Sequence, residues 1–274
     1  MTEQSSSLID PAAPAPLMAG KRGVIMGVAN NRSIAWGIAE ALRKQGAEMA
    51  FTYQGESLGK RVIPLASSVG SDLAFDCDVE DEASVESVFN EIGKSWETLD
   101  FVVHAIAYSD KDELKGRYLN TTRDNFLRTM DISCYSFTSV ARCAQPLMTS
   151  GGSMISLSFS GAERVMPNYN VMGVAKAALE ASVRYLAADL GPQDVRVNAI
   201  SAGPMRTLAG SAIGGARDIL RFCQDTSPLN RNLQLEDIGG AALYLLSDLS
   251  RSVTGEVHYV DSGFSTIGMP HERN

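Results

Sequence analysis

Seven short apolar runs punctuate this chain: GVIMG (23–27), AEMAFTY (47–53), SDLAFDC (71–77), LDFVVHAIA (99–107), MISLS (154–158), VRVNAIS (195–201) and EVHYVD (256–261). Stretches with helical periodicity lie between several of them, at 33–46, 82–96, 167–191 and 236–247. A strand that is apolar at successive positions must be buried on both faces, and helices between such strands supply the cover. The pattern predicts an α/β fold, a doubly wound parallel sheet of the Rossmann type. It is not interrupted by any linker composition, so residues 21–274 are expected to form a single domain, with order beginning near Lys21. Residues 1–20, rich in Ser, Pro and Ala, bury little and are expected to form a mobile tail. Segments 108–121 and 202–231 lack either periodicity, and both follow strands, where open α/β sheets bind their ligands.

Charge and composition exclude several classes. Lys and Arg number 24 against 32 Asp and Glu, a net charge of −8 that opposes non-specific nucleic-acid binding. No segment approaches the roughly 20 apolar residues of a membrane span, and the N-terminus lacks the basic and apolar regions of a signal peptide. A cytoplasmic protein is expected, with no nucleic-acid or membrane partner. Cys77, Cys134, Cys143 and Cys223 show neither C-x-x-C nor metal-ligand spacing, and the three histidines are scattered. Reduced structural thiols and no metal site are expected.

The turn after the first strand reads GVANNRSIAWGIAEAL. Gly27 allows a tight turn, Ser33 can cap the following helix, Gly37 permits close helix packing, and the amides at the helix start would face a pyrophosphate. The spacing is not G-x-G-x-x-G, and a purely structural loop is the competing reading. The second strand ends in Tyr53-Gln54-Gly55-Glu56. Gln54 can bond ribose hydroxyls and no arginine stands at the strand end to neutralise a 2′-phosphate, which favours NADH over NADPH. Lys60 and Arg61 lie close by and weaken that preference. Asp78 and Val79 follow the third strand, where Asp78 suits an adenine edge or, alternatively, a helix cap.

Tyr169 and Lys176 stand seven positions apart in PNYNVMGVAKAALEASVRYLAADLG. At roughly 100° per residue, seven positions turn through about 700°, so the two share a helix face. Isolated lysines usually snorkel to water. Held beside a ribose, Lys176 would instead donate to its hydroxyls, and Tyr169 would donate to an oxygen that gains negative charge in a transition state.

Gly27 with Ser33-Ile34, together with RVMPNYNVMGVAKAALEASVRYLA, VRVNAISAGPMRTLAG and GEVHYVDSGFS, resembles the NADH-dependent enoyl-acyl carrier protein reductases, divergent members of the short-chain dehydrogenase/reductase superfamily. The similarity spans about Lys21 to Ile267. Ordinary superfamily members use Y-x3-K, which here would place the lysine at Gly173; the Y-x6-K spacing is the reductase pattern. The resemblance implies reduction of a trans-2-enoyl thioester on acyl carrier protein, the last step of fatty-acid elongation, by a typically homotetrameric enzyme. It implies that Gly27, Ser33, Ile34, Gln54, Asp78, Val79 and Ile106 line the dinucleotide, that Lys176 holds the nicotinamide ribose, and that Met205, Arg206, Thr207, Leu208 and Ala209 close over the nicotinamide. Tyr169 stabilises and protonates the enolate, Ser109 and Phe159 face substrate, and residues 207–223 form a mobile substrate loop and helix.

Three departures qualify the resemblance, one of them Ala107, at a position the family usually fills with glycine beside the nicotinamide, where its methyl would crowd the pocket wall. Phe159 stands where most of the family has a second tyrosine, and it cannot donate a hydrogen bond. In GGARDILRF (214–222), Gly214 and Asp218 replace expected basic residues, leaving Arg217 and Arg221 for an acidic carrier. Two other classes remain open on the same fold: a short-chain dehydrogenase acting on a carbonyl or alcohol, and an NAD-binding relative without chemistry.

Overall fold

The computed structural model describes residues 15–207 and 214–269. Seven parallel strands form one sheet: β1 (Arg22–Met26), β2 (Glu48–Tyr53), β3 (Ala74–Asp76), β4 (Phe101–His104), β5 (Gly152–Ser158), β6 (Val195–Ala202) and β7 (Val257–Val260). Their order is β3-β2-β1-β4-β5-β6-β7. The order reverses between β1 and β4, paired from Gly23↔Phe101 to Met26↔His104, and this leaves a crevice at their C-terminal ends.

Each face carries its own core. On one, Val102, Met154 and Val197 of the sheet meet helices α3 (Glu82–Ser95), α5 (Ser136–Ala144) and α6 (Asn170–Leu190) through Phe89, Phe137 and Leu179. On the other, Ile25, Phe51 and Ile155 meet α1 (Ile34–Lys44), α2 (Gly55–Ser68) and α8 (Leu235–Leu246). Gly37 lets α1 and α8 touch, since a Cβ there would lie 2.6 Å from Leu235 Cβ.

All seven strands fall where the apolar runs place them, although β3 keeps only Ala74–Asp76 of the run 71–77. Two helical regions carry no clean period in sequence. Pro64 interrupts the pattern of α2, and α4 (Arg123–Met130) joins α5 through a π-helical turn, Asp131–Tyr135, whose extra residue shifts the apolar stripe. Segment 202–231, without periodicity in sequence, holds helix α7 (Ala216–Thr226), which overlaps the helix the resemblance implies within 207–223. Packing also begins before Lys21: Met18 is fully buried, and its amide donates to the Gln45 carbonyl at 2.9 Å. The expected tail therefore ends short of residue 20. Among the described residues, no helix is long and apolar enough to cross a membrane.

Candidate active site

The predicted site residues gather at the C-terminal edge of the sheet. Gly27 follows β1 with φ +100°, and a Cβ there would sit 2.1 Å from the Ala105 carbonyl oxygen, so only glycine lets the turn pass beneath the crevice. Ser33 occupies the N-cap position of α1 but does not cap it. Its Oγ instead accepts from the amides of Ala29 (3.0 Å) and Asn30 (3.1 Å), which shapes the turn and leaves the first helical amides free of a side-chain cap. A dinucleotide phosphate fits that glycine-floored turn and helix start.

The adenosine end is built by the next two strands. Gln54 is exposed at the N-cap of α2, and the Gly55 amide donates to Asp76 Oδ1 at 2.8 Å. Asp78 is no helix cap: it accepts from the Glu80 amide (3.0 Å), while Asp81 caps α3. Lys60 pairs with Glu56 at 2.7 Å, so the cation nearest this strand end already faces a carboxylate. Val79 and Ile106 are half-buried against the core beneath the crevice.

Tyr169 is the N-cap residue of α6 and is buried, its ring edge-on to Phe159 with centroids 4.9 Å apart. A Cβ on Gly161 would overlap that ring at 2.4 Å, so the tyrosine seats against bare backbone. Burial, reinforced by the negative charge of Glu180, pushes the phenol pKa up and keeps it a neutral donor. Lys176 does not snorkel. It is 5% exposed, and its Nζ donates to the Leu157 carbonyl at 2.7 Å. Burial pushes its pKa down to about 8. One turn further along α6, Glu180 accepts from Ser158 Oγ at 2.5 Å, and its carboxyl is shifted upward chiefly by burial.

A cavity of about 140 Å³ opens at Tyr169. Ile34, Phe159, Met205, Ile219 and Leu220 give it a largely apolar lining. Thr207 also lines it, Arg206 is exposed, and Leu208 and Ala209 lie outside the described residues. The Ser109 hydroxyl accepts from Thr129 Oγ1 (2.9 Å) and Asn125 Nδ2 (3.2 Å), so its side chain anchors its loop to α4. Glu180 and Asn125 escaped the sequence reading, and Ile219 and Leu220 entered it only as part of the segment 207–223. Only Glu180 carried a local signal, a carboxylate four residues after Lys176 on the same face.

An inward-turned lysine beside a buried tyrosine, on the helix following β5 of a parallel sheet in this order, is the arrangement of the short-chain dehydrogenases and reductases. Within that class the chain belongs to the family described as "Enoyl-(Acyl carrier protein) reductase", whose profile matches residues 27–265. It is 66% identical over 254 residues, 93% of this chain and 95% of the relative, to "Enoyl-[acyl-carrier-protein] reductase [NADH] 2" of Rhizobium meliloti (strain 1021). The crystal structure of FabI from Candidatus Liberibacter asiaticus is similar with TM-score 0.92 at 57% identity, covering 94% of this chain and 100% of that one. The corresponding reductase of Anaplasma phagocytophilum, solved in complex with NAD, is similar with TM-score 0.90 at 57% identity over 94% of this chain and 96% of that one.

Proposed function

We propose that Tyr169 and Lys176 carry the chemistry of an NADH-dependent enoyl-acyl carrier protein reductase in fatty-acid synthesis. The observation that carries the assignment of roles is the inward hydrogen bond of Lys176 beside buried Tyr169. Bound NADH supplies the hydride. Reduction at the β-carbon of the enoyl thioester leaves negative charge on the thioester oxygen. The Tyr169 hydroxyl donates to that oxygen and then gives up its proton to the enolate, regaining one from solvent, and Lys176 holds the ribose with a protonated amine. Phe159 adds apolar surface and no second donor, so the burden of polarising the thioester falls on Tyr169.

Loss of NADH absorbance with a trans-2-enoyl thioester tests the reading. Turnover at 1–1000 per second, the usual enzymatic range taken roughly, is expected. Tight NADH binding with no turnover on any chain length would reject it.

The acyl carrier protein is read as approaching α7, where Arg217 is exposed and Arg221 makes only a long, exposed pair with Asp225 (3.7 Å). Such charges steer encounter more than they hold it. On carrier-borne substrate, kcat/KM should fall roughly tenfold between low and high salt, whereas a CoA thioester should respond less. Equal salt responses would remove α7 from the docking surface. A cytoplasmic homotetramer completes the reading. Leu127, Tyr135 and Tyr185 leave large apolar groups exposed on α4, on the adjoining π-turn and on α6, and sedimentation at micromolar concentration checks the assembly.

A further inference from the structure

Tyr169 is flanked by two residues in left-handed backbone, Asn168 (φ 56°) and Asn170 (φ 37°). Glycine would meet that requirement at lower cost, so backbone tolerance alone does not account for asparagine at both positions. The side chains do. Asn168 Nδ2 donates to the Gly214 carbonyl at 2.8 Å, two residues before α7, which supplies Ile219 and Leu220 to the cavity. A Cβ at Gly214 would lie 3.3 Å from that same Nδ2, so the missing side chain leaves room for the Asn168 amide. The glycine that departs from the expected basic cluster thus has a packing role.

Asn170 reaches in another direction, to a segment whose Leu114 shares an apolar cluster with Tyr169. Its Nδ2 donates to the carbonyls of Glu113 (3.2 Å) and Gly116 (3.4 Å) in the segment after β4. That segment is fixed at its other end by Ser109 and by Glu113, whose carboxylate accepts from Thr122 N (2.9 Å), Thr122 Oγ1 (2.8 Å) and Asn125 Nδ2 (3.2 Å).

We propose that Asn168 and Asn170 are positioning residues that fasten the backbone on either side of Tyr169 to two separate segments, α7 of the cavity lining and the loop after β4 whose Leu114 shares an apolar cluster with Tyr169, so that the hydroxyl is aligned only when both are seated. The role rests on Tyr169 being the donor to the reacting thioester. Asn168 governs the α7 wall, which contacts the acyl chain, and Asn170 governs the segment that begins at Tyr108.

The test uses Asn168→Gly and Asn170→Gly, which keep the backbone conformation and remove the donors. Asn→Asp at each site tolerates the same backbone but also brings no donor, and should behave alike. Hydrogen exchange should rise in 214–226 only for Asn168→Gly and in 108–117 only for Asn170→Gly. With a long-chain enoyl thioester, Asn168→Gly should raise KM about tenfold and Asn170→Gly lower kcat about tenfold, the loss one hydrogen bond carries, with KM for NADH within about twofold. Unchanged exchange in both variants overturns the proposal. So do kinetics unchanged beside altered exchange in an active wild type. A wild type inactive on enoyl thioesters rejects the functional reading and the positioning role together, and selective exchange in that case would leave a structural clamp alone.

Discussion

Tyr169→Phe is expected to lower kcat for enoyl thioester reduction by about 100-fold, the effect of deleting one preorganised donor to a developing oxyanion. The substitution removes a single oxygen. The ring remains edge-on to Phe159 and seated on Gly161, so neither the fold nor the cavity shape changes. Affinity for NADH should therefore stay within about twofold, because the phenol acts on charge that appears only as the double bond is reduced. Steady-state kinetics beside a fluorescence titration of NADH separates the two quantities. A variant that keeps full kcat would show that another group bears the charge, and Phe159 offers no hydroxyl to take it over.

Lys176→Met should weaken NADH binding by about 100-fold, the upper end of what a charged hydrogen bond contributes. The pH dependence sharpens the test. Burial pushes the ammonium pKa down to about 8 from the ordinary lysine value of 10.5. Below 8 the amine is protonated and donates; above 8 it loses charge, so wild-type affinity for NADH should fall as pH rises through about 8. The methionine variant should show no such limb. Stability moves the other way. A lysine whose folded pKa is depressed destabilises the fold most below its folded value, so stability should rise between about pH 8 and 10.5 in the wild type. A pH-independent NADH affinity in the wild type would separate Lys176 from the cofactor.

The sheet was legible because strands buried on both faces run apolar without interruption, and that property is local. α2 and the α4–α5 pair were not, because Pro64 and the π-turn at Asp131–Tyr135 break the helical period without ending the helix. The Tyr169–Lys176 pair could be found from spacing alone, since one helix carries both. The hydrogen bonds that give the pair its setting could not be found that way: Lys176 to Leu157, Glu180 to Ser158, Asn168 to Gly214 and Asn170 to Glu113 join residues 19 to 57 positions apart. The same holds for Ser109, whose hydroxyl bonds Asn125 and Thr129 of a helix with no local sequence sign of approaching it.

The bond from Lys176 to Leu157 fixes a long, flexible side chain to the main chain of a central strand during folding. A lysine loses about 2 kcal/mol of rotamer freedom when immobilised. Here that entropy is surrendered once, when the chain folds, and not at each encounter with the dinucleotide. In the proposed role, Lys176 therefore adds no ordering penalty of its own to cofactor association, and the affinity it contributes should survive warming better than that of a lysine first captured from solvent.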